Sequence, residues 1–281
     1  MEHTINLKLI DEFREKMQED ERSKATIEKY LRDIRAFMDF IGEDRGIDKE
    51  TVIAYKKYLL EKYAPASVNS MLAAINSFFK ENGWYDCVVK AIKIQKEAFR
   101  SGNKELNRDE YYRLLHAAKR QGKRRLYMLM QTICSTGIRV SELEYITVEA
   151  LHTRRAIVSL KGKTRTVILP IELCRELKVY IKERNIKSGT IFVTRSGKPM
   201  NRSNIWQEMK ELCEAAGVDR EKVFPHNLRH LFACTYYQIK KDITHLADIL
   251  GHSNINTTRI YTLISGEEQE KQISKLGLVV S

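Results

Sequence analysis

Apolar residues recur every three or four positions through the first part of the chain, which is the spacing of one helix face. Four stretches show this spacing: residues 7–18, 26–40, 51–63 and 67–82. Such periodicity is typical of helices that bury one side in a bundle. The sequence therefore predicts four helices here, with Pro65 in the turn before the last one and Ser67 as its cap.

The pattern becomes mixed after residue 107. Asn107 is followed three residues later by Glu110, which predicts a capped helix start, and residues 107–150 continue with helical spacing. Two β-rich segments, Ala156–Leu160 and Thr164–Leu169, then flank the short sequence Lys-Gly-Lys and predict a hairpin. We expect Thr190–Thr194 to form a third short strand, and helices to resume from Arg202.

A charged stretch of weak periodicity, residues 93–105, lies between the two patterns and is typical of a linker. The predicted fold is mainly α with a small antiparallel β-sheet. The predicted domains are a helical domain at residues 1–95, a linker at 96–106, and an α+β domain at 107–281.

The amino-acid composition indicates what kind of partner the protein binds and in which cellular compartment it works. A formal net charge of +12 favours a polyanionic partner, and nucleic acid before a membrane surface. The five cysteines are scattered, with no Cys-x-x-Cys pair, so neither a zinc ribbon nor a disulfide framework is indicated. We expect reduced thiols in a cytoplasmic protein. No run of about 18 apolar residues appears, so no membrane span is predicted.

Two short motifs bring cationic and proton-transferring groups together. Arg139 precedes Glu142 by three residues, so that on a helix the carboxylate can orient the guanidinium. His226 and Arg229 are likewise one helical turn apart, a pairing suited to a phosphate or an oxyanion. His226 and His230 have a metal-ligand spacing, but no third ligand is evident, so we expect no metal and a packing role for His230.

The segment Leu250–Thr262 predicts a bend. On one unbroken helix His252 and Tyr261 would face opposite sides, since nine steps of about 100° come to about 180°. Gly251 can end the preceding helix, and Ser253 or Asn254 can cap a second one. The two rings then converge.

These groups are the components of phosphodiester transfer without a metal. Arginines neutralise the phosphate oxygens and the growing charge of the transition state. A tyrosine becomes a nucleophile once its proton is removed, and an acid must protonate the leaving oxygen. Lys161, at the hairpin tip, is a candidate for a group that reaches into the site from a rigid mount.

With these motifs in this order, the chain resembles the tyrosine recombinase (phage integrase) family. The matching sequences are TGIRVSEL, a hairpin lysine, HNLRH, LGHSNINTT and a tyrosine nine residues after the last histidine. The motifs span about residues 107–265, and residues 7–95 are similar to the core-binding domain of the family. The compact Xer-like and transposon-type integrases are the nearest group.

The resemblance implies a fold and a set of roles. The fold is a two-domain DNA clamp. Arg139 and Arg229 would hold the scissile phosphate, Glu142 would support them, and Tyr261 would attack. His226 would accept the tyrosine proton, and His252 would hydrogen-bond the phosphate. Lys161 would be the acid for the leaving group. It precedes a glycine as the family lysine does, although Lys163 is an alternative.

The resemblance also implies the reaction and the partners. A 3′-phosphotyrosyl intermediate and a Holliday junction would exchange strands of double-stranded DNA without metal, ATP or other cofactor. The protein would be a tetramer on DNA, with a monomer possible when it is free, and an accessory directionality protein or a sister recombinase would be a further partner. The apolar end of the tail Gly266–Ser281 would dock on a neighbouring protomer, with docking on its own domain as the alternative.

Further DNA contacts are expected from basic residues outside the motifs: Lys24, Lys163, Arg165 and Arg202. The basic cluster Lys119–Arg125 is either a DNA contact or an exposed turn. Two other functions stay open on sequence grounds. One is a type IB topoisomerase-like enzyme, which shares the chemistry but rejoins the same strand; the other is a non-catalytic DNA-binding regulator.

Overall fold

The computed structural model describes residues 3–42, 46–94, 104–160, 162–194, 196–262 and 273–275. The chain divides into two compact units, Met1–Lys96 and Glu97–Ser281. The described residues are mostly helical and contain one sheet of two antiparallel strands. The predicted fold class, mainly α with a small antiparallel sheet, is confirmed.

The first unit is built on four helices, as its apolar spacing predicts: α1 Leu7–Glu19, α2 Lys24–Ile41, α3 Lys49–Lys62 and α4 Pro65–Glu81. The side chains of Asn6, Ser23 and Asp48 accept backbone N–H groups at the starts of the first three. These caps satisfy donors that have no partner inside the helix. The apolar faces meet in one core that includes Phe37 and Phe78.

The turn predicted at Pro65 was wrong. Pro65 is the first residue of α4, and Ala64 precedes it in an extended conformation without a side-chain cap. Proline suits this position because the first helical N–H needs no partner inside the helix and its fixed φ is already helical. Ser67 therefore lies within the first turn rather than at the cap.

The second unit contains the remaining helices and the sheet: α5 Arg108–Arg120, α6 Arg124–Thr136, α7 Val148–Thr153, β1 Arg155–Leu160, β2 Lys163–Ile168, α8 Ile171–Glu183, α9 Arg202–Lys210, α10 Cys213–Ala216, α11 Pro225–Lys240 and α12 Ile243–Leu250. The capping box predicted for α5 is confirmed. The N–H of Glu110 donates to Asn107 Oδ1 at 2.8 Å, and the N–H of Asn107 donates to Glu110 Oε2 at 2.9 Å.

The predicted hairpin is confirmed, but the third strand was wrong. β1 pairs with β2 from Arg155 opposite Ile168 to Leu160 opposite Lys163. The segment Thr190–Thr194 makes only isolated bridges, one to Thr147 and one to Pro199. Its consecutive residues Ile191 and Phe192 are both buried, so the β-rich composition fills the core instead of alternating across a sheet.

Three helices of the second unit end in a left-handed glycine, and at two of these glycines, Gly137 and Gly251, there is no room for a side chain. α6 ends at Gly137, with φ of 64°, and α12 ends at Gly251, with φ of 65°. Space as well as φ demands glycine here. A Cβ on Gly137 would lie 2.4 Å from Phe232 Cδ1, and one on Gly251 would lie 2.5 Å from Arg165 Cδ. Both stops therefore permit a close approach between elements.

Within the described residues, every helix is too short or too polar to cross a bilayer.

We predict that Gly137→Ala destabilises the second unit more than Gly122→Ala does. Both glycines have positive φ, which costs an alanine about 1–2 kcal/mol, but only Gly137 lacks room for a methyl group. Overpacking against Phe232 should add about 1–3 kcal/mol. Amide hydrogen exchange of peptides from Arg124–Thr136 in the whole chain measures the difference. Equal protection in the two variants would contradict the close approach seen here.

Candidate catalytic site

Backbone carbonyls at the ends of α6 and α12 accept hydrogen bonds from the two motif arginines, Arg139 and Arg229. Arg229, in α11, is 2% exposed. Its Nη1 donates to the carbonyl oxygen of Gly137 at 2.6 Å, and its Nη2 donates to that of Leu250 at 2.8 Å. Arg139, just beyond α6, donates from Nη2 to the carbonyl oxygen of Gly251 at 3.1 Å. Helix C-termini carry partial negative charge, so the ends of α6 and α12 stabilise both guanidinium groups in one place.

One buried carboxylate joins the first arginine to the hairpin. Glu142 Oε1 accepts from Arg139 Nη1 at 2.7 Å, and its Oε2 accepts from Arg165 Nη2 at 2.6 Å and from the N–H of Arg139 at 2.8 Å. Burial acts to raise the pKa of Glu142, but the bonds from Arg139 and the charge of Arg165 outweigh it and lower the pKa. Glu142 is therefore an anion that holds the guanidinium group of Arg139.

Arg165 takes a different place from the DNA contact expected of it. Its side chain is 15% exposed, and its two terminal nitrogens are occupied by Glu142 and by the carbonyl oxygen of Ile249 at 2.6 Å. The side chain also packs against Gly251. Arg165 therefore braces β2 against the end of α12, and we assign it to positioning the site instead of binding a phosphate.

The site carries a surplus of positive charge. Three guanidinium groups, of Arg139, Arg165 and Arg229, surround the single carboxylate of Glu142, which leaves two positive charges uncompensated within this group. Burial, and then the charge of Arg139, lower the pKa of Arg229 to about 10, so it stays a cation at neutral pH. A buried surplus of this kind favours the binding of an anion.

His252 lies against Arg229. Its Nε2 is 2.9 Å from Arg229 Nη2, and its Nδ1 is 2.9 Å from Thr258 Oγ1. Burial and the charge of Arg229 lower the pKa of His252 to about 4, so the ring is neutral at pH 7. Sequence inspection missed Thr258; its only signal was the paired threonine that precedes the tyrosine.

His226 lies in the first turn of α11, on the solvent side of the arginines. It lines a cavity of about 280 Å³ together with Arg139, Arg202 and Arg229. The pKa of His226 is lowered, mainly by burial and then by the positive charges of Arg229, Arg202 and Arg139. A neutral imidazole beside an anion site can accept a proton. Trp206, which sequence inspection also missed, lines the same cavity.

The predicted bend before Tyr261 is confirmed. Two single-turn 3₁₀ helices, Ile255–Thr257 and Arg259–Thr262, follow Gly251, and the side chain of Asn254 caps the first. The rings of His252 and Tyr261 stack with centroids 6.3 Å apart. The phenol and the imidazole therefore lie on the same side of the chain.

Tyr261 is sheltered but not in a purely apolar interior. It is 4% exposed and packs in a small core with Ala233, Cys234 and Leu246. Burial raises the pKa of the phenol, and the nearby guanidinium group of Arg229 opposes this shift. The phenol thus already lies near the arginine that would hold a phosphate.

His230 packs, as the sequence predicts. Its ring makes an edge contact with Tyr261, with centroids 5.0 Å apart, and its Nε2 is 3.4 Å from Glu105 Oε1. The imidazole of His230 thus packs against the ring of Tyr261.

The other predicted residues fall outside this cluster. Lys161 and most of the linker and tail lie outside the described residues; Lys163 begins β2, and its backbone pairs with Leu160. Lys24 begins α2 in the first unit, where its side chain is 91% exposed. In the basic cluster, three cations are paired with carboxylates: Lys123 with Glu211, Arg124 with Glu176, and Arg125 with Glu208.

Comparison with known proteins gives matches along most of the chain. Residues 104–268 match the Phage integrase family, and residues 9–82 match the phage integrase N-terminal SAM-like domain. The chain is 29% identical over 280 residues to tyrosine recombinase XerA of Thermococcus kodakarensis, with 96% of each chain covered. It is 31% identical over 258 residues to tyrosine recombinase XerD of Caulobacter vibrioides, with 85% of each chain covered.

A solved structure has a similar fold. The crystal structure of XerH site-specific recombinase bound to a palindromic difH substrate, in a post-cleavage complex, superposes with a TM-score of 0.73. The match covers 94% of this chain and 83% of the other, at 21% identity.

We predict that Glu142→Gln makes stability less dependent on pH in acid. Glu142 has a lowered pKa in the folded chain, so its contribution is present above the unfolded pKa of about 4.3 and is lost as the pH falls through the lower folded value. The wild type should therefore lose more unfolding free energy than the variant between pH 6 and pH 3, by about 1 kcal/mol or more. Urea unfolding at several pH values measures this. Parallel curves would show that the carboxylate is not paired as described.

Proposed function

The chain belongs to the phage integrase family of tyrosine recombinases, and on that premise we propose that it cuts and rejoins double-stranded DNA at specific sites through a phosphotyrosyl bond. The observation that carries the proposal is the contact among three groups from separate elements. Arg229 lies within hydrogen-bonding distance of His252, the His252 ring stacks on that of Tyr261, and the charge of Arg229 acts on the Tyr261 phenol. Nucleophile, cation and imidazole are thus assembled around one position.

A DNA phosphate fits that position by charge and by donor geometry. Arg139 and Arg229 carry the surplus positive charge, and their guanidinium groups can each present two N–H donors to the non-bridging oxygens. Besides Glu142 and His252, their present partners are backbone carbonyls at two helix ends. The incoming phosphate would exchange with some of these carbonyls, so the cations stay satisfied with and without DNA.

The cleavage step forms one bond to phosphorus and breaks another. The Tyr261 oxygen attacks phosphorus, the O–P bond forms, and the bond from phosphorus to the 5′ oxygen breaks. His226 accepts the phenol proton, which its lowered pKa allows at neutral pH. Lys161 donates a proton to the leaving 5′ oxygen. The product is a 3′-phosphotyrosyl bond and a free 5′-hydroxyl group.

Rejoining reverses these events with a different strand. The 5′-hydroxyl of a partner duplex attacks the phosphotyrosyl bond and releases Tyr261. The covalent bond retains the energy of the phosphodiester, so neither ATP nor a metal is needed. Two rounds of this exchange, separated by a Holliday junction, recombine the two duplexes.

The two units divide the work of DNA binding. We assign residues 1–95 to the core-binding domain, residues 96–106 to the linker and residues 107–281 to the catalytic domain. Lys24 at the exposed start of α2 and Arg202 in the cavity beside His226 are the proposed phosphate contacts, with Lys163 on the hairpin. A net charge of +12 and five free cysteines suit a DNA-binding protein of the cytoplasm.

The acting form is a tetramer on DNA, assembled from protomers that are single when free. The tail carries apolar residues at Ile273, Leu276, Leu278, Val279 and Val280. Head-to-tail docking of this segment on the next protomer would close a ring. An accessory protein or a sister recombinase would decide the direction of the exchange.

We predict that Tyr261→Phe abolishes a covalent protein–DNA adduct that the wild type forms on a nicked suicide duplex. The nick releases the short 5′-ended fragment, so the phosphotyrosyl bond is trapped and migrates as a single band on a denaturing gel. Tyr237→Phe is the matched control, since Tyr237 packs beside the same small core. The adduct should form in EDTA and without ATP.

Each outcome of that assay has a meaning. An adduct that persists in Tyr261→Phe would overturn the assignment of the nucleophile, and a wild type that binds DNA without any adduct would favour the regulator. Plasmid relaxation with no exchange between two marked sites would favour the topoisomerase-like enzyme.

We predict that deletion of residues 270–281 spares cleavage of a nicked half-site but weakens synapsis. Cleavage needs one protomer and one phosphate, whereas synapsis needs the apolar tail contact between protomers. Adduct yield and the amount of two-duplex complex, measured on the same preparation, separate the two. Unchanged recombination between two full sites would contradict docking in trans.

A further inference from the structure

Thr258 is a fully buried polar residue whose hydroxyl reaches the active-site imidazole. Its exposure is 0%, and its Oγ1 lies 2.9 Å from His252 Nδ1. Its backbone carbonyl also accepts the N–H of Tyr261 at 3.0 Å. One residue therefore touches both the histidine and the segment that carries the nucleophile.

The contacts of His252 define its tautomer in the free protein. A guanidinium group has only donors, so Nε2, at 2.9 Å from Arg229 Nη2, accepts and carries no proton. The proton of the neutral ring is then on Nδ1 and is donated to Thr258 Oγ1. In this state Arg229 occupies the nitrogen that faces the anion site.

DNA binding would require the opposite tautomer. Once a phosphate draws Arg229 Nη2 away, Nε2 faces an anionic oxygen, and only a protonated Nε2 forms a hydrogen bond there. The proton leaves Nδ1 and one is bound at Nε2, with no net uptake. Nδ1 then needs a donor, which a hydroxyl can supply because it has one donor and two acceptor sites.

We propose, on the basis of the proposed function, that Thr258 is a positioning residue whose hydroxyl accepts from His252 in the free protein and donates to it when a DNA phosphate is bound. It supports both tautomers of a neutral ring. A carboxylate in the same place would instead favour the imidazolium, and so add a charge beside Arg139, Arg165 and Arg229. The neutral hydroxyl avoids that repulsion.

Three variants separate the hydroxyl from packing. Thr258→Val keeps the shape and removes the hydroxyl, Thr258→Ser keeps the hydroxyl and removes a methyl group, and Thr257→Val makes the same change at the exposed neighbour. Circular dichroism and DNA affinity should match the wild type in all three. Adduct formation at saturating nicked DNA should slow about tenfold in Thr258→Val, and stay within about threefold of the wild type in Thr258→Ser and Thr257→Val, as expected for one lost hydrogen bond.

The tautomer itself is measured by long-range ¹H–¹⁵N NMR of the free protein, with His252 identified by its loss in His252→Gln. Wild type and Thr258→Ser should show a hydrogen-bonded proton on Nδ1, whereas Thr258→Val should keep the proton on Nδ1, because Arg229 still occupies Nε2, but without that hydrogen bond. An Nε2 proton in the free wild type would overturn the proposal, as would equal slowing in Thr258→Val and Thr258→Ser. A wild type that forms no adduct would defeat the proposed function, whereas the spectrum would still decide the assignment of Thr258.

Discussion

The site depends on one electrostatic constraint: three cationic side chains, two of them largely buried, must stay close together. The chain meets it with backbone carbonyls at the ends of α6 and α12 and with a single carboxylate, Glu142. The glycine after α6 accepts from Arg229, and the glycine after α12 accepts from Arg139. Partial charges of the peptide backbone thus offset repulsion without neutralising the site, which leaves it ready for an anion.

This arrangement explains which features were predictable from the sequence. Helices with regular apolar spacing, the Asn107 cap and the hairpin follow from local chemistry and appear where expected. The convergence of His252 and Tyr261 followed from one glycine and an angular argument. Pro65 and Thr190–Thr194 were placed wrongly, because a helix start and a buried irregular segment have the same composition as a turn and a strand.

The contacts that complete the site could not be read from local pattern. Arg165 looks like any basic residue of a hairpin, and its place is decided by Glu142 and Ile249, which are distant in sequence. Thr258 and Trp206 were missed for the same reason. Which partner a side chain contacts, and how deeply it is buried, depend on the folded unit. From the sequence alone, a charged residue on a strand is equally compatible with exposure to solvent and with binding a ligand.

Tyr261 adds a consequence for the protein while it is unbound. Because the phenol is 4% exposed and packs against α11, the reactive group is shielded from random encounters with DNA. For the reaction proposed here, shielding of the nucleophile would limit cleavage at wrong sites independently of base recognition. A protein molecule that is not bound at its site would then leave DNA uncut. Cleavage would become possible only where a bound duplex rearranges the site around Tyr261.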